Sequence, residues 1–151
     1  MCEHCGCQAL QTIDELTREH DAALGYVRTA ELAAAAGDLA GALAACAALD
    51  LLLVPHTAVE EEGVFPALAR EYPAHVAGLV AEHRLVHGAL AELAAGADDD
   101  WAQQLVDALA VLRTHIAKEQ DGLFPASLTS LTTADWEQAE QVRRRVGSTA
   151  S

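Results

Sequence analysis

Two stretches of this 151-residue chain pair an imidazole with a carboxylate at the same spacing: His56 with Glu60, and His115 with Glu119. Each carboxylate is followed three residues on by a glycine (Gly63, Gly122) and then by Phe65-Pro66-Ala67 or Phe124-Pro125-Ala126, every equivalent position being offset by 59 residues. Four residues make about one helical turn, so each His and Glu stand one above the other and aim at the same neighbour. Imidazole nitrogens and carboxylate oxygens converging in this way are the donors of a metal site.

The faces that carry these pairs are apolar. Leu49, Leu52 and Leu53 precede His56, and Leu105, Leu109 and Leu112 precede His115, at helical spacing. Two more stripes repeat the pattern: Ile13, Leu16, His20, Ala23, Leu24 and Val27, then Val76, Leu79, Val80, His83, His87 and Leu90. A carboxylate buried without a partner is strongly unfavourable, so two of them on core stripes among imidazoles call for a cation. The candidate ligands are His20, His56, Glu60, His83, His87, His115 and Glu119. Glu19, Glu61, Glu62 and Glu82 each neighbour the ligand positions in sequence and point up to about 100° away, so they are expected outside the ligand set. His75, two turns before His83, is expected in solvent.

The elements that must position these groups are helices. The chain is rich in Ala and Leu and has no β-branched alternation long enough for a sheet. Helix one is predicted from about Thr12 to Ala36, ending at Gly37-Asp38. Helix two runs from Asp38 to just before Pro66, and helix three from Pro73 to near Gly96. Helix four is capped by Asp98-Asp99-Asp100 and ends before Pro125. Thr132 and Asp135 form a capping box that starts a short fifth helix reaching about Val146. Short connections make neighbours antiparallel, which gives an all-α fold: an up-down-up-down four-helix bundle with a short C-terminal fifth helix. The corresponding division is a Cys-rich tail (1–9), the bundle (10–128), and a C-terminal helix and tail (129–151). Glu19-His20 and Glu82-His83 extend the internal repeat to the other helix pair at an offset of 63. His87 breaks it, because its counterpart in helix one is Leu24.

A net charge of −14 disfavours sequence-independent phosphate binding, so no nucleic-acid partner is expected, and Arg143-Arg144-Arg145 reads as a solvated helix end. The longest apolar run, Leu39 to Val54, is shorter than a membrane span. The N-terminus lacks the pattern of a secretory signal, so a cytoplasmic protein without a membrane partner is expected. There Cys2, Cys5, Cys7 and Cys46 are not expected to form disulfides. Cys46 reads as a small core residue. The cluster of Cys2, His4, Cys5 and Cys7 is open to three readings: a second metal site, a redox-active thiol tail, or an end with neither role.

Imidazoles and carboxylates without thiolates suit iron, manganese or zinc. Seven donors overfill one ion and fit two if both carboxylates bridge, with three imidazoles on one side and two on the other. With a bridging oxide or hydroxide one ion is then six-coordinate and the other five-coordinate. Removing the ions should leave Glu60 and Glu119 facing each other across the core, with raised pKa values and a loss of stability.

The helix-one His, the His-x-x-x-Glu before Phe-Pro, Glu82-His83-x-x-x-His87 and the second His-x-x-x-Glu before Phe-Pro together resemble the hemerythrin-like, or HHE cation-binding, domain of bacterial type, over roughly Ile13 to Pro125. The resemblance implies two iron ions with a bridging oxide or hydroxide, His83, His87 and His115 holding one, His20 and His56 the other, and Glu60 and Glu119 bridging. It implies a small-molecule partner: dioxygen, hydrogen peroxide or nitric oxide, met at a five-coordinate iron. Oxygen-carrying hemerythrins place an Asp five residues after the helix-four His, whereas Glu119 follows His115 by four. The expected function is binding and reduction of such an oxidant in oxidative or nitrosative stress, with electrons from an unidentified donor. The alternative is a non-catalytic oxygen- or iron-binding module that stores, carries or senses.

Overall fold

Helix α1 (Cys7–Ala35) ends at Gly37, whose φ of +67° is the left-handed conformation that closes a helix with no side-chain penalty. It begins at Cys7 rather than Thr12, so residues 7 to 9 of the expected tail are helical. The computed structural model describes residues 6–147; Cys2, His4 and Cys5 lie outside them, and Cys7 is exposed. Helix α2 (Leu39–Ala58) starts from Asp38, whose carboxylate accepts the Gly41 N–H at 3.0 Å.

The expected stop before Pro66 does not occur. Helix α2 passes into a π-helical turn, Val59–Val64, and then into α3 (Phe65–Ala69). Proline lacks an N–H, and in α geometry its ring collides with the carbonyl four residues back. Widening the preceding turn by one residue removes that collision: the Phe65 N–H reaches the Glu60 carbonyl, and Pro66 sits in the first turn of the next α segment, where no N–H is needed. The second copy repeats the solution. Helix α5 (Trp101–Lys118) enters a π turn at Glu119–Leu123, the Phe124 N–H bonds the Glu119 carbonyl, and Pro125 lies at the start of α6 (Phe124–Ser130). Proline thus ends the α geometry without ending the rod.

Between these two rods runs α4 (Pro73–Ala95), and α7 (Thr133–Val146) closes the described chain. The capping box of α7 is present: Asp135 N–H donates to Thr132 Oγ1 at 3.2 Å, and Thr132 N–H to Asp135 Oδ2 at 2.9 Å. The cap of α5 differs from expectation, since Asp100 makes no side-chain cap bond and its own N–H donates to Asp98 Oδ1.

The protein is an all-helical bundle with no strand among the described residues. Helix α1 packs on α2 and α5, and α4 on the same two. Helix α7 lies across the π turn Val59–Val64 and touches α1 and α2. A Cβ built on Gly63 would stand 2.7 Å from the Ala139 Cα, so only glycine lets α7 approach this closely. Two apolar cores result. One is built around Val27, Leu49, Leu90 and Leu109, the other around Leu16, Phe65, Leu79 and Trp136. The ligand candidates occupy the seam: His20 falls between Leu16 and Ala23, and His83 between Leu79 and Val86. The rod Leu39–Ala69, longer than the apolar run alone because it continues past Pro66, is long and apolar enough to cross a membrane by length and composition. It also buries His56 and Glu60 in the bundle, as a core helix does.

Candidate metal centre

Six of the seven candidates converge. His20, His56, Glu60 and Glu119 form one group able to hold a metal ion, and Glu60, His83, His115 and Glu119 form a second. Both carboxylates are common to the two groups. Glu60 Oε1 lies 2.9 Å from His56 Nε2 and 3.4 Å from His83 Nε2. Glu119 Oε1 lies 3.1 Å from both His20 Nε2 and His115 Nε2. Each carboxylate therefore touches, through its Oε1, one imidazole of each group.

These contacts are close without being aligned as hydrogen bonds. His20 Nε2 and all four oxygens of Glu60 and Glu119 are buried with no hydrogen-bond partner. Native interiors leave only a few such atoms per hundred residues, and five of them gathered at one seam are the donors a cation would satisfy. The donor set fits a metal for that reason.

What turns the imidazoles inward is a set of outer acceptors. His56 Nδ1 faces Glu19 Oε1, His115 Nδ1 faces Glu82 Oε1 and His83 Nδ1 faces Glu61 Oε1, each at 3.1 Å. His20 Nδ1 faces Gln120 Oε1 at 2.8 Å. An ionised carboxylate can only accept, so Nδ1 carries the hydrogen and the Nε2 lone pair of the neutral ring is left for the metal. Glu19, Glu61 and Glu82 are thus outside the ligand set but bonded to it, while Glu62 pairs with Arg145 at the surface. The phenylalanines of the repeat have a matching task. Phe65 stacks on His83 (5.7 Å between centroids) and Phe124 on His20 (5.2 Å), each fixing the plane of an imidazole in the opposite helix pair.

His87 is not brought to the centre. Its Nδ1 faces Asp50 Oδ1 at 3.2 Å and its Nε2 faces Thr57 Oγ1 at 3.4 Å, and its side chain is 28 % exposed against at most 7 % for the other four imidazoles. Both ring nitrogens are held by α2, one turn beyond His83. It still lines, with His20, His56, His83 and His115, a small cavity beside the centre with room for about one water-sized guest. His75 is exposed and Cys46 buried, as expected.

In the metal-free fold the buried carboxylates favour the protonated form of their neighbouring imidazoles. Burial works against charging His56, but Glu60, reinforced by Glu19 and Glu119, pushes its pKa up to about 10. His83 and His115 are raised in the same way against burial, chiefly by Glu60 and Glu119 respectively. The expected rise for Glu60 is reversed. Burial raises its pKa, yet His56, Glu119 and His83 together hold it well below the usual carboxylate range. The imidazoles lie closer to this carboxylate than the sequence could reveal.

Sequence reasoning missed Gln120 and Arg143. Arg143, expected in solvent, is 12 % exposed and forms a two-pronged pair with Glu19, whose side chain is fully buried. No spacing rule links it to the site, because α7 reaches Glu19 only through tertiary packing.

The family model of the hemerythrin HHE cation binding domain matches residues 11–127. Comparison with curated proteins and with solved structures gave no match.

Proposed function

Because the chain belongs to the hemerythrin HHE cation-binding domain family, we propose that its centre holds two iron ions, one between His20 and His56 and the other between His83 and His115, with Glu60 and Glu119 as shared ligands and an oxide or hydroxide as a further bridge. The observation that carries this reading is the convergence of five buried, unpartnered polar atoms on two overlapping four-residue groups. Oxygen and imidazole donors without thiolates suit iron, manganese or zinc, and the hemerythrin family points to iron among them. The supporting frame is an up-down-up-down arrangement of the four long rods, for which the short turns Ala36–Asp38 and Arg70–Tyr72 speak.

We further propose that a small oxidant (hydrogen peroxide, nitric oxide or dioxygen) is bound and reduced at this centre in oxidative or nitrosative stress, in the cytoplasm and with an external electron donor. Iron, when bound, would relay the donor's electrons to the oxidant and offer it an open position. The protein supplies a cavity of water-molecule size between the imidazoles and an apolar wall of Leu53, Val86, Leu112 and Ile116, a space suited to a diatomic or a peroxide. His20, His56, His83 and His115 are kept in their metal-facing tautomer by the acceptors behind them. In this reading His87, which the family resemblance gives to the His83 side, serves the cavity wall.

Metal analysis of protein from iron-replete cells is expected to give about two irons per chain, with a visible spectrum that changes on adding peroxide or nitric oxide. One zinc and no iron would overturn the proposal. Repeated turnover with a reductant separates catalysis from the second reading, a carrier or sensor, which the same centre serves if the spectrum changes once and reverses on removing the ligand.

A further inference from the structure

Helix α7 lies beyond the stretch matched by the family model, which ends at residue 127. Nothing in the cation-binding motif asks for it. Yet its Arg143 reaches the back of the centre. The Arg143 guanidinium donates from Nη2 to Glu19 Oε1 at 2.6 Å and from Nη1 to Glu19 Oε2 at 3.0 Å, and its Nε lies 3.2 Å from Glu15 Oε2. Glu19 Oε1 in turn accepts from His56 Nδ1. An arginine fork fixes the plane as well as the position of a carboxylate, which a single ammonium cannot do.

The helix is seated to deliver this contact. Trp136, Ala139 and Val142 are buried, and the absent side chain at Gly63 admits the α7 backbone directly over the π turn that carries Glu60. Arg144 and Arg145, the neighbours of Arg143, pair with Glu140 and Glu62 at the surface. Only one of the three arginines is turned inward, and it meets the carboxylate that backs a ligand.

We propose that α7 is a working part of the metal centre: Arg143 is a positioning residue that locks Glu19, and through it His56, in the orientation that holds the ion on the His20/His56 side. The other side has its own version, since Lys118 Nζ lies 2.7 Å from Glu82 Oε2 behind His115. That cation comes from the same helix as its imidazole and its carboxylate partner is partly exposed, whereas Arg143 comes from an added element and its partner is sealed.

This inference rests on the two-ion reading, and the experiment separates the two. Iron content, the rate of iron release to an excess of chelator, and the midpoint potential of the centre are measured for the wild type, Arg143→Gln, Arg143→Lys, Arg145→Gln and Val142→Ala. Wild type is expected to hold two ions. Arg143→Gln should release one of them about tenfold faster or more, the scale on which outer partners of metal ligands act, with the other ion within twofold of wild type. The potential of the affected ion should fall, because an unneutralised Glu19 makes His56 the more basic ligand. Arg143→Lys, which keeps the charge and loses the fork, should fall between. Arg145→Gln should match wild type. Val142→Ala loosens the packing of α7 and should lower Tm while leaving release and potential unchanged. The inference is overturned if Arg143→Gln releases both ions at wild-type rates, or if Val142→Ala reproduces its effects. A wild type without iron overturns the proposed function itself.

Discussion

The two copies of the His-x-x-x-Glu-Phe-Pro motif share their ligands and their π turns but differ in what covers them. In the first copy α7 lies on the turn, Gly63 is in contact with the Ala139 backbone, and the relay behind His56 ends in a sealed arginine pair. In the second copy Gly122 has open space around it, and the relay behind His115 ends in Lys118, 40 % exposed. The acceptors differ as well. With the 59-residue offset Glu61 corresponds to Gln120, so both imidazoles on the His83/His115 side are backed by carboxylates, while His20 is backed by an amide. The comparison teaches that the two groups of candidate ligands are near copies of each other, whereas the layer around them is not.

The largest effect that sharpens this contrast comes from a ligand common to both sides. Glu119→Ala is expected to abolish binding of both ions, whereas His56→Ala should lose only the ion on its own side, and iron per chain reads the difference directly. A Glu119→Ala protein retaining one full equivalent would show that the carboxylate serves one side alone.

Next in size is removal of the metal. At a free metal concentration a thousandfold above Kd, each bound ion adds about 4 kcal/mol, or roughly 10 °C in Tm for a domain of this length. The gap should depend on pH with a definite sign. In the metal-free fold His56 has its pKa raised from 6.5 to about 10, so its contribution is complete below pH 6.5 and is lost as pH climbs to about 10. Glu60, held below 4.5, contributes above that value and loses its contribution on acidification. Since metal must displace the imidazole protons, the difference in Tm between metal-bound and metal-free protein should widen from pH 6.5 upward, as calorimetry at several pH values would read. A gap that narrows with pH would contradict the protonated resting state.

The glycines probe the covering layer. Gly63→Ala must push the α7 backbone aside and should cost about 1–3 kcal/mol, as overpacking does. Gly122→Ala meets nothing and should be neutral or stabilising by up to about 1 kcal/mol. Equal losses in denaturant titrations would mean that α7 does not press on the first copy in solution.

The smallest change is expected at His87. The offsets that relate the two halves set His87, Asp50 and Thr57 against Leu24, Leu109 and Ile116, so this polar trio exists on one side only. His87→Ala should leave both irons in place and alter only how external ligands enter the cavity, seen in the rate at which nitric oxide changes the spectrum. Loss of an iron would return His87 to the ligand set.

Much of the centre was legible because helical spacing alone puts His20, His56, Glu60, His83, His115 and Glu119 on apolar stripes. The same rule could not separate His83 from His87, which share a face. Only the packing of α2 against α4, which brings Asp50 and Thr57 to the second ring, distinguishes them. Pro66 and Pro125 were visible as breaks but not as widened turns, since a missing N–H says that α geometry fails without saying what replaces it. Gln120 shows its role only once that turn is known. Arg143 is invisible for a different reason: a basic triplet near the end of a strongly acidic chain has many carboxylates within reach, and the fold selects Glu19 among them.

The crossed stacking of Phe65 on His83 and Phe124 on His20 has its own consequence. Each helix pair carries an aromatic plate, one of the two outer acceptors and one carboxylate for the group of candidate ligands whose imidazoles belong to the other pair. A fragment ending at the Arg70–Tyr72 turn would own His20, His56 and Glu60 and still lack a complete nest for a single ion. A complete set of donors for either group therefore exists only once both halves have met, and loss of either half should abolish metal binding altogether.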